Sequence, residues 1–315
     1  MGAEFVQLSL VPLLIAVLAA VACALPGNFL LLRRQALIGD AISHVALPGI
    51  VAAFLITGRV STWPMMLGAA GSAVVAVTVI EAIRRLGRIE PGAAMGVTFT
   101  SMFAAGVLLL EQSDTSRVHL DVEHALYGNL ESLVWLGAKG WGSLVDPAAL
   151  AELPDELPRM AVVATLAALL VVMLWRPLMI ATFDEGFAAT LGIPVRALGL
   201  ALVVVSAVAA VAAFSAVGSI IVIAMFICPP AAARLMTHSL ARQVGWSLVF
   251  ATISAIGGYL LAGYGPGWLG FRASGSAAGM IATVSGVILT LACLFGPQRA
   301  RTMARTSAPG AVPEA

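Results

Sequence analysis

The chain has 315 residues, of which 60% are hydrophobic and 10% charged, with a formal net charge of +1 and a mean hydropathy of +1.01. A soluble domain carries about a quarter charged residues, so a water-soluble fold of this length is excluded and the bilayer is its solvent. A single lysine, Lys139, and the lack of a basic run beside aromatic residues exclude a nucleic-acid groove.

A membrane span needs roughly 20 apolar residues. Nine stretches qualify, at about 8–32, 40–57, 64–83, 91–110, 159–177, 196–214, 216–236, 243–264 and 277–296. The first does not read as a cleavable signal, because its early charge is Glu4 and its apolar run is too long. The sixth and seventh are nearly continuous, with Ser215 and Gly218 at the break, and read either as a tight hairpin or as one full and one partial span. The expected fold is all-α, a polytopic transmembrane helix bundle of eight or nine spans, with residues 1–297 as one transmembrane domain. Residues 298–315, polar and holding Pro309 and Pro313, read as a disordered cytoplasmic tail. Gly92 with Gly96, Gly275 with Gly279, and the alanines from Ala207 to Ala213 are expected at close helix contacts. Cys23, Cys228 and Cys293 stand far apart in apolar runs, which argues against disulfides or a thiolate metal site.

Cytoplasmic ends are rich in Lys and Arg. With the N-terminus outside and the C-terminus cytoplasmic, Arg33, Arg34, Arg84, Arg85, Arg88, Arg176, Arg196, Arg234, Arg242, Arg299, Arg301 and Arg305 fall inside. Arg59, Arg117, Lys139, Arg159 and Arg272 then fall outside. On that topology 111–158 is an extracytoplasmic segment, within which 125–142 reads as an interfacial or re-entrant helix.

Three groups of residues carry chemistry. Asp40 and His44 are four apart and share a helical face. A carboxylate with an imidazole is half a site for zinc, manganese or iron, and ionisable residues inside spans usually face a pathway. Equally, Asp40 could cap the helix and His44 could bond a neighbouring helix. His119, Asp121, Glu123 and His124 form a dense outer cluster, either a solvated loop or a rim that receives metal or docks an external protein. Phe183 to Pro194 reads as a short amphipathic helix with an acidic first turn, ended by Gly192 and Pro194. It is either a plain connection or a helix that docks into another protein. The sequence holds no GxxxxGK[ST], HExxH or GxSxG, so it offers no P-loop and no recognisable hydrolase centre.

Three segments resemble the permease subunits of ATP-driven importers of zinc, manganese and iron, the ABC-3 family. They are Leu32 to Gly49 (LRRQALIGDAISHVALPG), Phe183 to Pro194 (FDEGFAATLGIP), and Val217 to Val222 continuing to Cys228-Pro229-Pro230-Ala231-Ala232-Ala233-Arg234-Leu235. The resemblance extends over about 8–296. It implies a plasma or inner membrane permease that is not an enzyme and holds no permanent cofactor. Its cargo would be a divalent metal, zinc first with manganese and iron as alternatives, held in transit by Asp40 and His44. It also implies a homodimer of permeases embedded in lipid, cytoplasmic ATP-binding subunits and an extracytoplasmic metal-binding protein. Phe183, Asp184, Glu185, Phe187, Ala188, Leu191 and Gly192 would form the coupling segment for the ATPase. The rival expectations are a proton-coupled secondary metal carrier, with Asp40 and His44 as relay, and an intramembrane metalloenzyme.

Overall fold

A computed structural model of the chain describes residues 2–35, 38–58, 62–112, 130–268 and 275–297. The described part is helical. After a helical turn at Gly2–Phe5 and a π-helical stretch at Val6–Leu10, the long helices are α1 (Val11–Leu32), α2 (Ile38–Thr57), α3 (Thr62–Gly87), α4 (Pro91–Gln112) and α5 (Glu156–Met173). They are followed by the shorter α6 (Trp175–Phe183) and α7 (Glu185–Thr190), then α8 (Val195–Val217), α9 (Ser219–Met236), α10 (Leu240–Trp268) and α11 (Ala277–Phe295). Among the described residues, eight helices are long and apolar enough to cross a membrane, and α2 adds an apolar helix from His44 to Thr57.

Local chemistry sets the breaks. Pro177 has no N–H and crowds the carbonyl four residues back, so α5 ends at Met173 and the chain restarts as α6. Gly218 turns α8 directly into α9 at φ +84, a conformation that costs glycine nothing. The sixth and seventh spans are therefore two full helices joined directly at Gly218, which diverge from it rather than packing along each other. The end of α1 is a Schellman motif, with Gln35 N donating to Leu30 O at 2.8 Å and Arg34 N to Leu31 O at 3.1 Å. Arg34 takes the left-handed position at φ +57, a site that usually belongs to glycine.

Helices α1 and α8 form the centre. Helix α1 packs on α5, α8, α9 and α10, and α8 also meets α2 and α3. Ala207, Ala209, Ala210, Ala212 and Ala213 of α8 are fully or almost fully buried, which lets backbones approach where lipid supplies no hydrophobic drive. Helices α2, α3 and α4 pack together on one flank, and α9, α10 and α11 on the other. The tight crossings lie at Gly49 against Gly68 (α2–α3), Gly106 against Pro48 (α4–α2), Gly27 against Phe226 (α1–α9) and Gly258 against Ile281 (α10–α11). At Gly27, an added Cβ would stand 2.5 Å from the Phe226 carbonyl oxygen, which Pro230 has freed from its helical partner. The expected GxxxG steps are only partly close contacts. Gly275 N donates to Ala262 O of α10 at 3.1 Å, whereas among the described residues Gly92 and Gly96 have nothing within 4 Å, and Gly279 meets only Ser276, the cap of its own helix. The spacing puts two glycines on one face but does not decide which face meets a neighbour.

One buried polar cluster joins α1 to α10. Asn28 Nδ2 donates to Ala24 O at 2.7 Å and to Ser247 Oγ at 3.0 Å, and Gln243 Nε2 donates to Asn28 Oδ1 at 3.2 Å. Such bonds between spans contribute about 0.6 kcal/mol each, up to about 1.7.

Beyond α4, the described chain from Leu130 to Asp155 is irregular. Two 3-10 turns, Leu130–Ser132 and Trp141–Leu144, stand where a continuous interfacial helix over 125–142 was expected; its first part lies outside the described residues. The reason is the burial of Trp135, whose Nε1 donates to Ala149 O at 2.8 Å and whose backbone N donates to Gln7 O at 2.9 Å. The π-helical start of the chain leaves carbonyls outside the ordinary helical ladder, and this segment takes one of them. Glu131 Oε1 also accepts from Ala277 N at 2.8 Å, capping α11.

Candidate metal pathway and coupling segment

Asp40 and His44 both lie on α2, in its first two turns, and their spacing puts them on one face. For Asp40 only the backbone is described. The His44 ring meets Phe103 of α4 edge-on, with centroids 5.6 Å apart, and His44 is otherwise exposed at the surface of this single chain. Its depth follows from its neighbours. Phe103 comes twelve residues after Pro91 and nine before Gln112, near the middle of α4. On the other side, Ser72 of α3 donates to Val45 O at 2.7 Å, ten residues into a helix of 26. Helix α2 therefore starts partway across the bundle and carries His44 at mid-depth, where an ionisable side chain is costly and lines a route or a protein contact.

The same helix carries a proline inside it. Pro48 removes the donor for the His44 carbonyl, one turn back. From Pro48 outward runs a cleft of about 530 Å³ between α2 and α3, lined by Gly49, Ala53, Pro64, Leu67 and Gly68, with Met102 from α4. Its wall is apolar, so it offers no ligands of its own to a hydrated cation. Among the described residues, no three His, Cys, Asp or Glu side chains gather as a metal site. Glu81, the extra acid that a metalloenzyme would recruit, pairs with Arg84 at 3.0 Å on its own helix.

The segment from Leu174 to Pro194 is well defined. Asp184 caps α7 by accepting from Phe187 N at 2.8 Å, and Gly192, at φ +73, closes it with Ile193 N donating to Ala188 O at 3.0 Å. Ala188 is fully buried while Phe183, Phe187 and Leu191, spaced four apart, are 57%, 54% and 53% exposed. Phe183 ends α6, Asp184 is extended and Leu191 caps α7, so the three are exposed apolar side chains strung along the segment rather than one helical face; beside the acidic Asp184 and Glu185 they suit docking against another protein. The outer cluster of His119, Asp121, Glu123 and His124 lies outside the described residues.

Sequence reading missed the partners. Ser72 and Phe103, which flank the site on α2, and Asn28 with Gln243 carry no local pattern. The useful signal for the last two was a buried-type amide inside each of two apolar spans.

Comparison with known proteins agrees with this architecture. The model of the ABC 3 transport family matches residues 5–134 and 149–296. The chain is 37% identical over 281 residues to the manganese transport system membrane protein MntD of Bacillus subtilis, covering 89% of this chain and 90% of that one. It is 33% identical over 287 residues to the zinc transport system membrane protein TroD of Treponema pallidum, covering 90% and 73%. The solved structure of PsaBC from Streptococcus pneumoniae in complex with Fab superposes with a TM-score of 0.73 at 24% identity, covering 94% of each chain, a likeness of fold. With nearly its whole length matched by one family model, and with the helices that the fold requires, the chain belongs to the ABC 3 transport family.

Proposed function

We propose that the chain is the permease of an ATP-driven importer of a divalent transition metal, with Asp40 and His44 holding the ion in transit. The observation that carries this reading is His44 at mid-depth on α2, a helical turn after Asp40. A transit site must release its ion, so few ligands and modest affinity suit it. A second copy of the chain would cover the exposed α2–α3 face, seat itself in the apolar cleft and turn His44 from a surface residue into the wall of an enclosed route. The exposed apolar residues of the segment from Phe183 to Leu191 would receive the ATP-binding subunits, with the N-terminus outside and 111–158 facing an extracytoplasmic metal-binding protein. An aspartate with a histidine accepts manganese and zinc alike. The relative named for manganese is the more similar of the two described, so manganese(II) stands ahead of zinc(II), the first expectation from the sequence.

The test is uptake of manganese(II), zinc(II) and iron(II) by the reconstituted complex, with and without ATP and with and without the ATP-binding subunits. Uptake that needs both supports the reading. Uptake by this chain alone under a proton gradient would establish the secondary carrier instead.

A further inference from the structure

One side chain joins the inner end of α1 to the segment that carries α7. Arg33 caps α1 and lies seven residues before Asp40. Its Nε donates to Thr182 Oγ1 on α6 across a long 3.4 Å. One terminal nitrogen lies against α8, where a Cβ added to Gly199 would stand 3.2 Å from it. The other terminal nitrogen is buried without a hydrogen-bond partner among the described residues. Burial draws the guanidinium pKa down, and the carboxylate of Glu185 on α7 draws it back up. A single cation therefore touches α6 and α8 directly and feels α7 through its field.

We infer that Arg33 is a positioning residue that carries movement of the α6–α7 segment into α2, the helix of Asp40 and His44. The inference rests on the transport reading above. Two features suit Arg33 to this task. The Schellman turn after it is closed by two hydrogen bonds, so the cap is fixed to the end of α1, and α8, against which one of its nitrogens lies, packs directly on α2. The unpaired N–H is also a place where two states can differ. Pressing α7 toward the bundle brings Glu185 closer to a donor that lacks an acceptor, and releasing it withdraws the carboxylate. A contact made in one state and not in the other is what couples two sites. A static brace would need no spare donor.

The experiment uses proteoliposomes holding the full complex with its ATP-binding subunits, with manganese(II) uptake and ATP hydrolysis measured in the same vesicles. Arg33→Ala is expected to lower the manganese moved per ATP about tenfold, with hydrolysis and co-purification of the ATP-binding subunits kept within about twofold. Arg33→Lys, which keeps the charge but not the planar fork, is expected to recover part of the loss. Thr182→Val, which removes the acceptor and leaves the charge, is expected to lower the ratio about threefold. An unchanged ratio in Arg33→Ala and Thr182→Val overturns the inference, as does parallel loss of uptake and subunit association in both. If Arg33→Ala fails to assemble, Thr182→Val decides alone. A wild-type complex without ATP-dependent uptake of any of the three metals would fail the transport reading itself. A coupled wild type with unaffected variants would fail this inference only.

Discussion

At the scale of single residues, the glycines are not equivalent. A Cβ on Gly68 would enter the backbone of Gly49, which cannot give way, whereas Gly71, three residues on along α3, has nothing within 4 Å. Gly68→Ala is expected to cost about 3 kcal/mol, at the upper end for overpacking, and Gly71→Ala to be neutral or stabilising by up to about 1 kcal/mol. Thermal unfolding in detergent would compare the two. Equal effects would show that the α2–α3 crossing is looser than described. Arg34 offers the opposite test. Its left-handed backbone costs an ordinary residue about 1–2 kcal/mol, so Arg34→Gly is expected to raise the unfolding temperature.

At the scale of elements, α7 is only six residues long and depends on its ends. Asp184→Ala removes the cap, worth about 1 kcal/mol, and should fray the helix that presents Phe187. Weaker co-purification of the ATP-binding subunits at unchanged expression is the expected result; unchanged binding would place their contact elsewhere. The C-terminal end of this helix was legible in advance because capping is local chemistry, with Gly192 and Pro194 after it, whereas Asp184, expected in an acidic first turn, is the cap that precedes it. The α1–α10 clamp was not. Asn28 and Gln243 are separated by 215 residues, and each in isolation reads as a lone polar residue in a span. Asn28→Ala leaves both Gln243 and Ser247 short of a partner and should cost about 1–3 kcal/mol, measurable by the same unfolding assay. The apolar residues of the 125–142 stretch, expected as an interfacial or re-entrant helix, divide for a related reason: Leu130 and Trp135 are buried in protein, while Leu136 and Trp141 stay exposed.

At the scale of the whole molecule, hydropathy was enough to place the nine long helices among the described residues, because every spanning segment must satisfy its backbone internally and pack apolar side chains outward. Pairing of the helices was not readable, since Gly27, Gly49, Gly68, Gly106 and Gly258 look no different in sequence from glycines that touch nothing. The site was half legible. The four-residue spacing announced the Asp40–His44 pair, while its depth emerged only from Phe103 and Ser72 on α4 and α3. The account as a whole turns on that pair at mid-depth serving as the passage for metal. It is tested most directly by ATP-dependent manganese(II) uptake in the reconstituted complex carrying His44→Ala or Asp40→Asn, with the ATP-binding subunits confirmed in place. The account predicts that each substitution lowers uptake at least about tenfold, the equivalent of about 1.4 kcal/mol of lost stabilisation, while the complex still assembles. Uptake within about twofold of wild type in both variants, a difference of about 0.4 kcal/mol, would contradict it.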